Sequence, residues 1–343
     1  MKISILYSTF VWTLPLEDTA LKQHVYNLYQ NLFSEYDIEV YPKSNQRLGL
    51  IIDGLRHMRA VLKTDMSVLC PDYPVVSGAF VSILKPNHPF IIHLWKIPSL
   101  ISDHFIKGIK DIMLWRVIKC SKAVIVPSLY MKTSLESQEP SIRVFYSPVS
   151  VDSSFWKSDS REINECLARY GLKRNKYVIT VGGSDRDELY SARVSHLLDL
   201  HYVRVSYDKK IISRVRAILE KNGAESKLIT LCNINHRDLR SLYAGSTLLS
   251  LPTLTDTNPA GLSAMVEGLA CSTLVAVPQK LGSGYIKDGI NGFILDQDPV
   301  RFVQHILSLQ ATWPSIRENA RLFAVSELDN NVIVRNLKAN LKI

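Results

Sequence analysis

DTNPAGLSAMVEGLACSTLVAV, residues 256–277, opens on turn formers, passes through Gly261 into an apolar run with one carboxylate, Glu267, and closes as a β-branched strand. Apolar residues on nearly every side of so short a helix predict that it is buried. A carboxylate retained there needs a reason. The strand LLSLP ahead of it leads through TLTDTNPAG to a helix start whose first amides lie at Gly261, Leu262 and Ser263. Those amides and the helix dipole make an anion site, and Gly261 lets a ligand approach the backbone. Glu267 comes six residues after Gly261, about one and a half turns further in, on the same broad face as Ser263. It can accept two hydroxyl hydrogen bonds from a ribose whose diphosphate rests on the helix start. The alternative from spacing alone is a carboxylate that snorkels to solvent or pairs with an arginine.

Outward from this stretch, short apolar strands alternate with helix-length segments. Before it come YVITVGG, a helix near 187–199, YVRVSY, a helix over 209–222, KLITL, a helix from His236 to Ala244 and TLLSLP. The first half repeats the pattern with KISILY, IEVY, MSVLC, PFIIHLW, a long helix over 102–121 and AVIVPS. Continuous apolar strands joined through helices predict parallel sheets covered on both faces. The fold class is therefore α/β, with two doubly wound Rossmann-like domains. A polar stretch after Asp152 interrupts the alternation, giving a first domain over 1–155 and a second over 172–312. Residues 313–343 form helices with no strand after them and are expected to return to the first domain. Two such domains facing each other leave a cleft lined by the carboxyl ends of both sheets.

The 343 residues suit two domains, and a hydrophobic fraction of 46% excludes disorder. A formal charge of +9 favours anionic partners, but no block of like charges marks a nucleic-acid surface. The five cysteines are widely spaced and form no C-x-x-C pair, which argues against a disulfide framework or metal site and for a reducing, cytoplasmic setting. MKISILYSTF reads as a first strand rather than a signal peptide, and the longest apolar run is too short to span a bilayer.

Four segments carry a resemblance. LYAGSTLLSLPTLTDTNPAGLSAMVEGLACSTLVAV, the downstream IKDGINGFIL, SKAVIVPSLYMKTSLES and VSVDSSFW together resemble retaining GT-B glycosyltransferases of the group 1, family 4-like type. The likeness covers roughly residues 90–310 and is strongest over 239–296. It implies a GT-B fold and transfer of a hexose from a nucleoside diphosphate sugar to an acceptor hydroxyl, with retention. No cofactor and no metal are implied, the nucleotide sugar being the donor substrate. The acceptor would be a glycolipid, polysaccharide or other glycan.

Residue by residue, the resemblance makes Glu267 the ribose-binding glutamate. The first glutamate of the family's pair falls at Pro259, a departure for which Asp256 is the candidate substitute. Without it, sugar contacts fall to the amides of Ala260, Gly261 and Leu262. The family's phosphate-binding cations follow the first strand of the second domain, here VITVGGSDRDELYSAR. Gly182 and Gly183 would let the backbone pass close to phosphate, Arg186 is the best-placed cation, and Arg193 lies two turns on. The family's lysine is missing, and the alternative for both arginines is a solvated helix charge. Asp185-Arg-Asp187 has the form of a metal-binding D-x-D but reads as a helix start capped by Asp187. His93, ending a buried strand, would donate to the sugar or orient the acceptor hydroxyl; the alternative is a structural histidine beside Trp95.

The helix SDHFIKGIKDIMLWRVIKCSK mixes apolar and basic residues and could contact an anionic inner membrane face peripherally, or cover a sheet with a solvated basic side. The leading expectation is thus a metal-independent hexosyltransferase. The absent first glutamate, lysine and N-terminal Gly-Gly keep open a degenerate GT-B protein that binds a nucleotide sugar or partner without turnover. A nucleotide-sugar epimerase is a third possibility.

Overall fold

The computed structural model describes residues 2–7, 32–33, 35–42, 63–69, 87–94, 105–183, 185–254 and 260–341. The chain divides into two compact units, Met1–Pro148 with Val334–Ile343, and Val149–Ile333. The first is built on β1 (Lys2–Tyr7), β2 (Asp37–Pro42), β3 (Met66–Leu69), β4 (Phe90–His93), β5 (Ala123–Val126) and β6 (Val144–Tyr146). All pairings are parallel, in the order β2-β1-β3-β4-β5-β6. Helix α1 (Phe105–Cys120) joins β4 to β5, and α2 (Leu129–Gln138) joins β5 to β6. Every residue of β4 and β5 is buried, as central parallel strands covered on both faces must be. Trp115, Val117 and Ile118 of α1 pack on Phe90, Ile92, Val124 and Val126. Ser128 starts α2, its Oγ accepting from the Met131 amide at 3.2 Å.

The second unit begins with α3 (Ser160–Arg169) and continues through β7 (Tyr177–Val181), α4 (Glu188–Leu197), β8 (His201–Ser206), α5 (Lys209–Lys221), β9 (Leu228–Cys232), α6 (His236–Gly245) and β10 (Leu248–Ser250). Then follow α7 (Leu262–Ala270), β11 (Val275–Val277), the short α8 (Gln279–Gly282), β12 (Phe293–Ile294), α9 (Pro299–Ser308) and α10 (Trp313–Glu327); the last helix, α11 (Asn330–Leu341), starts in this unit and from Val334 onward belongs to the first. The sheet is again wholly parallel, in the order β12-β11-β10-β7-β8-β9. From β7 the chain lays β8 and β9 to one side and then β10, β11 and β12 to the other, the doubly wound Rossmann order. Its direction reverses between β7 and β10, so the crevice beyond their carboxyl ends is the expected ligand position.

Three elements differ from the sequence reading. The polar stretch after Asp152 contains α3, capped by Asp159, whose Oδ1 accepts from the Glu162 amide at 2.8 Å. Its buried Ile163, Cys166 and Leu167 recur at helical spacing and pack toward α6, where Gly245 leaves room for Leu167 and Ile163. The strands β6 and β12 are three and two residues long, too short to show a period in sequence.

Helix α7 is buried at eight of nine positions. Leu262, Met265, Val266 and Leu269 are at most 1% exposed, each contributing about 1.5–3 kcal/mol by burial. The helix lies so close to β10 that a Cβ at Gly268 would meet Leu249 Cδ2 at 2.5 Å. Gly268→Ala would therefore force either the Leu249 side chain or α7 itself to shift.

Candidate functional site

The crevice is assembled from two turns, one after β7 and one before α7. The first leaves the sheet at Gly182, whose φ of 120° favours glycine. It ends at Asp187, which caps α4 by accepting from the Tyr190 amide at 3.0 Å. The Asp187 amide donates to the Pro252 carbonyl at 3.0 Å, tying this turn to the chain leaving β10. Asp187 is thus a helix start, as its position in the sequence implies.

Between Gly182 and Asp187 stands Arg186, only 4% exposed. Its Nη1 donates to the carbonyls of Asp185 at 2.8 Å and Ala260 at 3.4 Å, and its Nε to Val181 at 3.4 Å. A Cβ on Gly182 would come within 3.0 Å of Arg186 Nη2, and one on Gly261 within 3.1 Å. Two glycines at positive φ, 120° and 111°, therefore leave the volume that the guanidinium fills. Among the described residues no carboxylate forms an ion pair with Arg186. Burial, and then the nearby charge of Arg204, bring its pKa down to about 10.

Gly261 is also the N-cap of α7 and supplies no side-chain acceptor. The first backbone bond of the helix runs from the Met265 amide to the Gly261 carbonyl at 2.8 Å. The amides of Leu262, Ser263 and Ala264 therefore have no partner within the helix. Arg186 thus lies where α4 and α7 both begin, so the positive ends of two helix dipoles reinforce its charge. An anion is what this arrangement is electrostatically complementary to.

Further along α7, Glu267 is 4% exposed. Its Oε2 accepts from the phenol of Tyr243, on α6, at 3.1 Å. Among the described residues no cation pairs with it. Burial pushes its pKa up to about 8, against the opposing effect of the Tyr243 bond. The Tyr243 phenol, wholly buried beside this acid, is itself held well above its ordinary range. A buried acid with a phenol and no counter-ion retains capacity to accept hydroxyl hydrogen bonds.

No protein-family model matches the sequence, and no curated protein matches it. Solved structures do. The chain is similar to HepE of Anabaena in complex with UDP and glucose, with a TM-score of 0.78 and 15% identity, over 100% of this chain and 99% of that one. It is similar to sucrose-phosphate synthase of Thermosynechococcus elongatus, with a TM-score of 0.80 and 13% identity over 99% and 98% of the two chains. A glycosyltransferase of Rickettsia africae aligns with a TM-score of 0.73 and 15% identity over 99% and 97%.

The chain has the GT-B fold. Within the second Rossmann-like unit of that fold, Gly182, Ala260 and Gly261 all meet Arg186, with Leu262 and Ser263 on the adjoining first turn of α7 and Glu267 further in. Gly183 joins them through its carbonyl, which accepts from Arg204 Nη2 at 2.7 Å. Arg193 is not brought to this cluster. It is exposed on α4, about 9 Å along the axis from Asp187. His93 is buried at the end of β4 in the first unit, 2% exposed, where it pairs with Ile125 across β5. Asp256 and Pro259 lie outside the described residues.

Asp288, in the segment IKDGINGFIL that carried part of the resemblance, has a local role. Asp288 Oδ1 accepts from the Ile294 amide at 2.8 Å, and Oδ2 meets His305 Nε2 at 2.9 Å. Sequence reasoning missed Arg204, Glu188 and Tyr202, a buried group behind the Gly182–Gly183 turn. A lone arginine inside the strand YVRVSY was the available signal.

Proposed function

We propose that this protein is a glycosyltransferase that moves a hexose from a nucleoside diphosphate sugar to an acceptor hydroxyl, with retention and without a metal. The observation that carries the reading is Arg186: a buried guanidinium with no carboxylate partner among the described residues, set between two glycines and two helix starts. HepE, of the same fold, is known in complexes with UDP and UDP-glucose. In the proposed reaction Arg186 and the amides of Leu262 and Ser263 stabilise the charge that develops on the departing diphosphate. Glu267 accepts from the ribose hydroxyls, Gly182 and Gly183 let the backbone approach phosphate, and the departing phosphate receives the acceptor proton. His93 donates to the sugar or orients the acceptor.

The acceptor in this reading is a glycan or lipid-linked glycan met in the cytoplasm at the inner membrane face. Exposed Ile112, Arg116, Lys119 and Lys122 support peripheral contact there, although Lys119 spends part of its charge on Glu139 at 2.6 Å. Among the described residues no helix is long and apolar enough to cross a membrane.

The test is a thermal-unfolding screen against UDP-, GDP- and ADP-sugars, followed by acceptor-free hydrolysis of whichever donor stabilises the protein. A donor at a hundred times its dissociation constant adds about 2.7 kcal/mol. Stabilisation with slow hydrolysis supports the transferase. Pro259 in the place of the first glutamate favours a second reading, a binding protein without turnover, for which stabilisation without hydrolysis or transfer is the expected result. No stabilisation by any donor overturns both.

A further inference from the structure

The turn that positions Arg186 is itself held from behind by a second buried arginine. Arg204, in the middle of β8, is 0% exposed. Its Nη1 donates to the Gly182 carbonyl at 3.1 Å and the Val205 carbonyl at 2.6 Å, and its Nη2 to Gly183 at 2.7 Å. Its Nε contacts both carboxylate oxygens of Glu188, at 2.9 and 3.0 Å. Glu188 Oε2 also accepts from the Tyr202 phenol at 2.6 Å. All three side chains are at most 6% exposed.

This group has two consequences for the crevice. The first is geometric: the two carbonyls fixed by Arg204 belong to the glycines whose path sets the space around Arg186. A glycine pair has the greatest backbone freedom of any sequence, so an ordered turn there needs an external hold. The second is electrostatic. Glu188 is the nearest buried carboxylate in sequence to Arg186, and it would neutralise that guanidinium if free to reach it. With both oxygens taken by Arg204 and Tyr202, it does not. Two buried guanidinium charges then share one buried carboxylate, and although the charges of the half-buried Asp185 and of Glu188 also reach Arg186, neither forms an ion pair with it.

We propose that Arg204, together with Glu188 and Tyr202, is a positioning residue of the anion site. It clamps the Gly182–Gly183 turn and withholds Glu188 from Arg186, so that Arg186 stays available to a diphosphate. The inference rests on the nucleotide-sugar reading above.

UDP titration by calorimetry, alongside thermal unfolding, tests it in the full chain with Arg204→Met, Arg204→Lys and the double variant Arg204→Met/Glu188→Gln. Arg204→Met frees Glu188 to pair with Arg186, and UDP affinity is expected to fall by about tenfold or more. Arg204→Lys keeps the charge beside Glu188 but cannot span two carbonyls and the carboxylate, so it falls between Arg204→Met and wild type. The double variant removes a buried ion pair as a unit, a change that is often neutral in stability. It should unfold near the wild-type temperature yet bind UDP several-fold more weakly than wild type, because the turn is no longer clamped. A purely structural pair would not behave in this way. Wild-type UDP affinity in Arg204→Met, or in a double variant of wild-type stability, overturns the inference alone. Failure of the wild-type protein to bind UDP overturns the inference together with the reading it rests on.

Discussion

Arg186 and Arg317 sit at opposite ends of the strands of the second sheet, Arg186 beyond the carboxyl end of β7 and Arg317 before the amino ends of β10 and β11, and make an instructive pair. Both are largely buried, both donate to backbone carbonyls, and burial brings both pKa values down to about 10. Their surroundings have opposite polarity. Arg317, on α10, donates to the carbonyls of Ser246 and Thr247 at 3.1 and 3.0 Å and of Ser272 at 3.1 Å. Those residues follow the last turns of α6 and α7, the negative ends of two helix dipoles. Arg321 does the same for Ala270 at 2.7 Å. Arg186 instead stands at the positive beginnings of α4 and α7. A cation at helix ends is stabilised and one at helix starts is not. A desolvated guanidinium thus serves structure at one end of the strands and, in the proposed function, ligand binding at the other.

The largest effect should come from reversing these roles. Arg186→Met is expected to lower the transfer rate by about 10²–10³, the usual loss when one preorganised donor to a developing oxyanion is removed. Its unfolding temperature should stay the same or rise, because a poorly compensated buried charge has been removed. Arg317→Met should do the opposite: a loss of about 1–3 kcal/mol in stability from unsatisfied carbonyls, with donor affinity unchanged. Paired measurements of rate and chemical denaturation decide it, and a stability loss in Arg186→Met without loss of rate would abolish the distinction.

Next in size is Glu267→Ala. Loss of hydrogen bonds to a charged acceptor, worth about 1.5–3 kcal/mol, predicts roughly ten- to hundredfold weaker donor binding. Isothermal calorimetry with the preferred nucleotide sugar checks this, and undiminished affinity would remove Glu267 from the site.

Much of this was legible in the chain before any coordinates. All strands but the short β6 and β12 announced themselves, because parallel strands buried on two faces read as unbroken apolar runs, as AVIV and YVITV do. Helix α7 and its acid were legible for the same reason, since a charge stands out against an apolar background. The Gly182, Arg186, Gly261 cluster was named residue by residue, but its geometry was not. Nothing in one sequence shows that Cβ atoms on two distant glycines would crowd one guanidinium. Helix α3 was hidden because its exposed face is so polar that the stretch read as a linker, although Asp159 and the Ile163, Cys166, Leu167 spacing marked it. Arg204 and Glu188 were hidden by distance, their pairing being set by the register of β8 against β7, with Arg204 opposite Thr180.

The acid on α7 gives the comparison a pH axis. Burial raises its pKa to about 8 in the folded protein from an ordinary 4.5, so between those pH values the folded state holds a proton that the unfolded state has lost. Stability from this group is therefore fully present below about pH 4.5, declines as pH rises through the window, and levels off above about 8. Glu267→Gln should flatten that part of the stability profile, measured by denaturant titration at several pH values. If ribose hydroxyls bind the ionised carboxylate, donor binding near pH 7 releases a proton. The apparent binding enthalpy should then change with the ionisation enthalpy of the buffer in the wild type and not in Glu267→Gln. A buffer-independent enthalpy would mean that the acid stays protonated when the donor binds.

The smallest expected effect belongs to Arg193. It carries the same charge as Arg186 and lies on the helix that begins beside it, so a reading by charge alone would give the two comparable weight. Yet Arg193 is exposed on α4, where water screens its charge and its long side chain keeps its rotamer freedom. An exposed charge in such a position contributes at most about 1 kcal/mol to any one partner. Arg193→Ala should therefore change donor affinity by less than about fivefold, with that small effect fading as salt is raised. A salt-resistant loss of tenfold or more would require the donor to extend along α4. The boundary drawn here between a buried, orienting arginine and a solvated one would then have to move outward by nearly two helical turns.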